Sequence, residues 1–385
     1  MEKIIRNDWR RNGEDAFARA HILSPEAHPE GLNVDRIRFV EVGELKPDAD
    51  VGHIASVLRG TAELRVASET TRRYHLQAGV HLYLPPGLEG VLNADAGTEL
   101  LIASSPSSSQ VRGRRLLLRD ETFLAACACE SQSLRWILTP QYLSRRIFLH
   151  HDPVLLSRSA CPIAWFRTTM FDVDGLPKNQ DGEPVFKMGY SSRTEMNVCY
   201  DVSGTAHVRM AEHPYSDASQ NWGPWFTLDG DSTYHLNETA GDGPGGIGGS
   251  ELRPPLQCTR NKHEIRIVDG YVTLICLFDP APTGVERHRP GEYSDYAPLE
   301  QVLGTREYET HMKELKKYDE MVDRLSLAKA LGTLNTLEKT ELWELYVRGR
   351  EAQAGIESEL RQRLSADGSF RARVIAPWMQ DPAHR

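Results

Sequence analysis
Apolar and polar residues alternate in short runs over two stretches of the chain. From about 37 to 106, RIRFVEV, HIASVLRG, TAELRVAS, HLYLP and TELLIAS follow one another, separated by Gly, Pro and Asp. Short runs at such close spacing predict the strands of a barrel or sandwich. A second strand-rich stretch covers about 160 to 280, with IAWFRTTMF, EMNVCYDVSG, TAHVRMAEH, PWFTLDGD, HEIRIVDG and YVTLICLFDP. The glycine-rich AGDGPGGIGGS inside it reads as a mobile loop. Residues 1–36 are polar and mixed, with a short helix expected at GEDAFARAH, and 110–145 read as helical or irregular. From about 298 the spacing becomes helical, with opposite charges interleaved, and predicts two helices that support the barrels or a second subunit.

The two strand-rich stretches share a pattern. Aligning Gly60 with Gly204 puts Thr61-Ala62 on Thr205-Ala206, and apolar alternation continues in both. Further on, VLNADAGTELLIASSP parallels EIRIVDGYVTLICLFDP, with Pro106 set against Pro280. Two matches in the same order at the two ends of each stretch point to an internal duplication.

Both stretches resemble cupin domains, most specifically in LYLPPGLEGVLN, a strand, a Pro-Pro-Gly turn and a second strand. The resemblance implies an all-β fold of two cupin (double-stranded β-helix, jelly-roll) barrels with a helical C-terminal extension. The expected divisions are an N-terminal segment at 1–36, a barrel at 37–110, a linker at 111–159, a second barrel at 160–282 and helices over 298–385. It also implies two motifs. The first supplies His-x-His and a Glu, the second a His after the Pro-Gly turn, and together they hold Fe, Mn, Ni or Zn. One barrel carries many chemistries, so the resemblance does not select one.

Against those motifs the first stretch places His53 at the Glu position, Asp48 and Asp50 at the His positions, and Gly90 at the second-motif position. A transition metal needs three or four converging donors, so this barrel is expected to bind none and to be kept for its fold and interface. The second stretch places Asn197 at the Glu position and Arg193 or Ser191 at that of the first His. His263 falls at the second-motif position, and His235 sits on the preceding strand. Glu195, His235 and His263 then form an expected two-His, one-carboxylate metal set, which leaves coordination positions open for O2 and substrate. Strand alternation sets Arg193, Glu195, Asn197, Cys199 and Asp201 on one face. Lys187, Tyr190 and Arg193 are expected to bind an anionic group, and Trp225, with Trp222, to wall the pocket.

The functional expectation is a small-molecule enzyme working in the second barrel, a cupin oxygenase using Fe(II) or another divalent metal, with Arg193, Glu195, Asn197 and His263 catalytic. The alternatives are a metal-independent isomerase, epimerase or lyase using His263 and Glu195 as acid and base, and a non-catalytic metabolite-binding cupin. A net charge of -9 argues against nucleic acid as partner. No apolar run is long enough to span a bilayer. Six scattered cysteines make neither a disulfide framework nor a zinc-finger spacing. The expectation is a cytoplasmic homodimer binding a small molecule.

Overall fold
The computed structural model describes residues 4–23, 33–67, 72–105, 116–120, 147–148, 164–171, 178–188, 194–210, 222–237, 263–279, 323–334 and 344. These fall into two compact units. The glycine-rich segment 240–250, the histidines at 150 and 151, and Tyr190, Ser191 and Arg193 lie outside the described residues.

The first strand, β1 (Ile4–Arg6), belongs to the C-terminal unit. The N-terminal unit contains β2 (Phe17–Leu23), β3 (Asn33–Phe39), β4 (Gly43–Leu45), β5 (Gly52–Arg59), β6 (Thr61–Val66), β7 (Arg72–Gln77), β8 (Val80–Leu84), β9 (Gly90–Ala94), β10 (Glu99–Ser105) and β11 (Leu117–Asp120). They form a six-stranded sheet, β11-β8-β5-β10-β3-β2, and a four-stranded one, β4-β9-β6-β7. Ile37, Val57, Leu82 and Leu100 from the first sheet and Leu64 and Leu92 from the second share one buried core. Interleaved antiparallel sheets around such a core make a jelly roll. Residues 323–330 are helical, and Ala330 joins that core.

Two expectations need correction. GEDAFARAH does not form a helix: Phe17–Leu23 is a strand paired to β3 from Phe17↔Phe39 to Leu23↔Val34. Its Phe-Ala-Arg-Ala-His alternation fits a ladder, and pairing overrides the local preference of its alanines. Likewise Leu117–Asp120, expected as helical or irregular, pairs with β8. The first barrel therefore recruits residues on both sides of the 37–110 span read from the sequence.

The C-terminal unit adds β12 (Ile147–Phe148), β13 (Ala164–Phe171), β14 (Phe186–Met188), β15 (Thr194–Met210), β16 (Phe226–Leu228), β17 (Ser232–Asn237) and β18 (His263–Asp279). Their order is β1-β17-β15-β18-β13-β12, with β14 on β18 and β16 on β15. The two seventeen-residue strands, β15 and β18, pair along their whole length. They repeat in continuous form what β5–β6 and β9–β10 do in two steps.

Strand register tests the duplication directly. Gly60 and Gly204 both have φ near +75° (73 and 75). Neither has room for a side chain: a Cβ would lie 2.6 Å from Thr98 Oγ1 and 2.4 Å from the Asp269 carbonyl oxygen, respectively. Counting outward, Ala62 opposes Ala94, Leu64 opposes Leu92 and Val66 opposes Gly90. In the second unit Ala206 opposes Ile267, Val208 opposes Ile265 and Met210 opposes His263. Gly90 and His263 thus occupy the same rung. In the other direction His53 opposes Ser104 and Asn197 opposes Cys276, which makes His53 and Asn197 equivalent. The terminal prolines are not equivalent. Ser105 opposes Gly52 as Leu277 opposes Met196, which sets Pro106 level with Phe278, short of Pro280.

The candidate site: two barrel interiors
In the C-terminal unit, His263 and Met210 are a cross-strand pair on the face that carries Val208 and Ile265, all of them buried. The His263 ring meets the Tyr234 ring edge-on, with centroids 5.4 Å apart and planes at 64°. Tyr234 opposes Asn197 across β17 and β15. Cross-strand partners share a face, so Asn197, Tyr234 and His263 all turn into the barrel, and all three are fully buried. Tyr234 was not singled out in the sequence. Its alternation with His235 was legible, but which of the two turns inward depends on a register that only pairing supplies.

The same register gives the backbone positions of the expected metal set. His235 opposes Met196, one step off the Asn197–Tyr234 rung. Glu195 shares the Asn197 face but opposes Leu236 and Phe278, near the end of β15 away from Met210 and His263. The side chains of Glu195 and His235 are outside the described set. A bulge at Tyr200 also interrupts the expected alternation. Asn197 and Cys199 stay together, but the Asp201 carboxylate accepts from the Tyr271 hydroxyl at 3.1 Å.

The next residue after His263 turns to the opposite face of the sheet and is also fully buried. Glu264 Oε2 accepts from Arg209 Nε at 2.7 Å, and Arg209 NH1 donates to Asp181 Oδ2 at 2.6 Å. Trp225 lies 4.6 Å from the Arg209 guanidinium and 4.8 Å from that of Arg266, and Trp222 lies 5.0 Å from Arg209. Arg266 also pairs with Glu183. Trp225 therefore stacks on two arginines of this opposite face. Lys187 opposes Glu264 on β14. On this face His207 has its pKa lowered, by burial first and then by the Arg266 charge.

The N-terminal interior divides into two ends. Ile37, Leu100 and Val57 form one rung across β3, β10 and β5. Four rungs nearer the open end, on the same face, these give way to Asn33, Ser104 and His53, with Asp35 midway. A cavity of about 410 Å³ opens there, lined by Arg19, Asp35, Lys46, Asp48, His53 and Ser104 among others. His53 is 8 % exposed, and its Nε2 lies 2.7 Å from the Asp48 carbonyl oxygen. Burial lowers the His53 pKa against the opposing pull of Asp48 and Asp35. At the Gly90 rung the interior is filled instead. A Cβ there would lie 3.2 Å from Leu64 Cδ1 and 3.9 Å from Leu84 Cδ2.

A divalent ion in either interior needs three or four donors converging on one point. Each barrel keeps one histidine at a motif position, but a different one: His53 at the first motif and His263 at the second. The partner positions hold Gly90 and Asn197. Among the described residues no group of three His, Cys, Asp or Glu side chains lies close enough to hold a metal. The described donors do not fit a cupin metal centre in either barrel.

No protein-family model matches the chain, and no curated protein matches it by sequence. Solved structures do resemble it. A two-residue deletion variant of Bacillus subtilis oxalate decarboxylase shares 13% identity, covering 81% of this chain and 83% of that one, with a TM-score of 0.43. A tryptophan-to-phenylalanine variant of the same enzyme gives 13%, 81%, 83% and 0.44. A cupin 2 conserved barrel domain protein from Leptotrichia buccalis gives 9% identity, 70% and 92% coverage, and a TM-score of 0.37. Among the described residues no helix is long and apolar enough to cross a membrane. The chain is all-β in two units that repeat one strand register about Gly60 and Gly204, and the first unit closes two antiparallel sheets around one core as a jelly roll.

Proposed function
We propose that the chain is a small-molecule enzyme of cupin type whose C-terminal barrel works by acid–base chemistry without a metal. The observation that carries this reading is the buried edge-on pair of His263 and Tyr234 with Asn197 on the same interior face. Imidazole can take a proton near neutral pH, a phenol can give one, and a fixed amide can orient a carbonyl oxygen. Those three groups suit proton transfer at a carbon next to a carbonyl, as in an isomerase, epimerase or lyase. The substrate class is a polar metabolite bearing a carbonyl or carboxylate.

The test uses the full chain, treated with chelator, in D2O with a panel of ketohexoses and 2-oxo acids. Solvent deuterium should enter one panel member at the carbon beside the carbonyl. Exchange should fall by about 10²-fold or more in His263→Gln and Tyr234→Phe. Exchange that is lost on chelation and restored by added metal would overturn the metal-free reading.

A second reading, a divalent-metal oxidoreductase using Fe(II) or Mn(II), keeps one specific support. His263 stands on the rung equivalent to Gly90, the second-motif position. Near-stoichiometric metal in the purified protein, lost in His263→Ala, would favour it over acid–base chemistry.

A further inference from the structure
We infer that the N-terminal barrel is a working pocket: a metal-free site for a small neutral polyol or sugar, in which Nδ1 of His53 accepts a hydrogen bond from a ligand hydroxyl. The argument starts from hydrogen-bond capacity. A backbone carbonyl oxygen can only accept, so the contact between His53 Nε2 and the Asp48 carbonyl at 2.7 Å puts the ring hydrogen on Nε2. Nδ1 is then a bare lone pair. It is buried and makes no hydrogen bond within the protein, while the ring itself lines the cavity. An acceptor left so in a barrel interior is costly unless something donates to it. His53 is 8 % exposed, which places this acceptor inside the barrel and away from bulk water.

The surroundings choose the donor. Ser104 stands directly opposite His53, and Asn33 directly opposite Ser104, so three hydrogen-bonding side chains share one rung. Asp35 is already engaged: its Oδ2 accepts from Asn33 Nδ2 at 3.3 Å and from Arg19 NH1 at 3.4 Å, with His21 Nδ1 2.6 Å from Oδ1. Asp35 therefore acts as a positioning residue for the wall. The charged side chains on the lining are Arg19 and Lys46 against Asp35 and Asp48. They balance, which favours a neutral ligand over a phosphate or carboxylate. Ile37, Ile102 and Val51 supply an aliphatic wall for the carbon face of a ring. A volume of about 410 Å³ lies in the range of small-molecule sites. The same lining does not fit a metal, because among the described residues no group of three His, Cys, Asp or Glu side chains lies close enough to hold one.

The experiment uses the full chain with D-fructose, D-glucose and myo-inositol as neutral probes and D-gluconate as the anionic one, read by ligand-detected NMR. At least one neutral probe should bind in the millimolar range or tighter, and His53→Ala should weaken it about tenfold. Because His53→Ala could disturb the fold, ¹⁵N spectra of the wild-type histidines provide an independent readout. They should show His53 as the Nε2–H tautomer, with its Nδ1 signal moving as the bound probe saturates. Any of three results overturns the inference: no neutral probe bound at about 50 mM, gluconate preferred about tenfold, or a His53 that carries its hydrogen on Nδ1.

Discussion
His53 Nε2 lies 2.7 Å from the backbone carbonyl oxygen of Asp48, and this contact fixes Nε2 as a nitrogen that carries a hydrogen. Burial lowers the His53 pKa from its ordinary 6.5, while the Asp48 hydrogen bond and the charges of Asp48 and Asp35 oppose that shift. The unfolded chain therefore takes up a proton at higher pH than the folded one. The stability tied to neutral His53 is complete above about pH 6.5 and is lost as pH falls from there through the folded value. In melts between about pH 7 and 5, the wild type should lose up to about 1.4 kcal/mol per pH unit at this group. His53→Gln should lack that contribution. Arg19, Lys46, Asp35 and Asp48 remain in both proteins, so equal slopes would show that His53 titrates at its ordinary value.

Restoring the missing histidine should not restore a metal site. At Gly90 a new Cβ meets Leu64 Cδ1 at 3.2 Å, and Leu64 is fully buried. Gly90→His is expected to cost about 1–3 kcal/mol through overpacking. It should bind no Mn(II) or Fe(II) by calorimetry. An equimolar, tightly bound ion in this variant would mean that the leucines yield and the ligand position survives.

The alternation of RIRFVEV, HIASVLRG and TAELRVAS was enough to find the strands, because a half-buried strand writes its period of two into the sequence. The match of Gly60 to Gly204 was legible because a left-handed backbone without room for a Cβ leaves little choice but glycine. His263 was placed at the second-motif position by counting back from Pro280 with one residue of slack, and its rung in the second unit is the one Gly90 holds in the first. What stayed hidden was anything set by pairing. His235 and Tyr234 are neighbours, and a one-residue difference in register exchanges which one turns inward. Phe17–Leu23 and Leu117–Asp120 joined the first barrel through partners far along the chain, which local propensity does not encode. The polar end at Asp35, His53 and Ser104 needed three strands to be laid side by side before it could be seen.

Arg36 is fully buried and pairs with Glu99, whose other oxygen lies 3.5 Å from Arg38 Nε. The Trp9 ring covers both guanidiniums, at 5.6 and 4.1 Å. Glu99→Gln strands a buried cation and should cost about 3–5 kcal/mol. Replacing both partners, as Arg36→Met with Glu99→Leu, should cost much less than the two single changes summed. Urea midpoints of the four proteins give the coupling, and additive losses would show that the pair is not coupled.

The C-terminal helix is part of the first barrel's stability, not a detachable extension. The Asp120 backbone N–H donates to Ser326 Oγ at 2.8 Å, Lys329 Nζ lies 2.9 Å from Asp120 Oδ2, and Arg119 Nε donates to Asp323 Oδ1 at 3.0 Å. Between these polar ties Ala330 enters the core, with Leu327 and Leu331 packed against it. Ser326→Ala removes the acceptor for a buried N–H and should cost about 1–3 kcal/mol. Ala330→Glu drives a carboxylate into the same core and should cost more, because an unpaired charge there has no compensating partner. Both losses should appear in the melting of the N-terminal unit, followed by hydrogen exchange at β8 and β11. Protection on those strands that stays at the wild-type level in both variants would show that the helix does not hold the barrel.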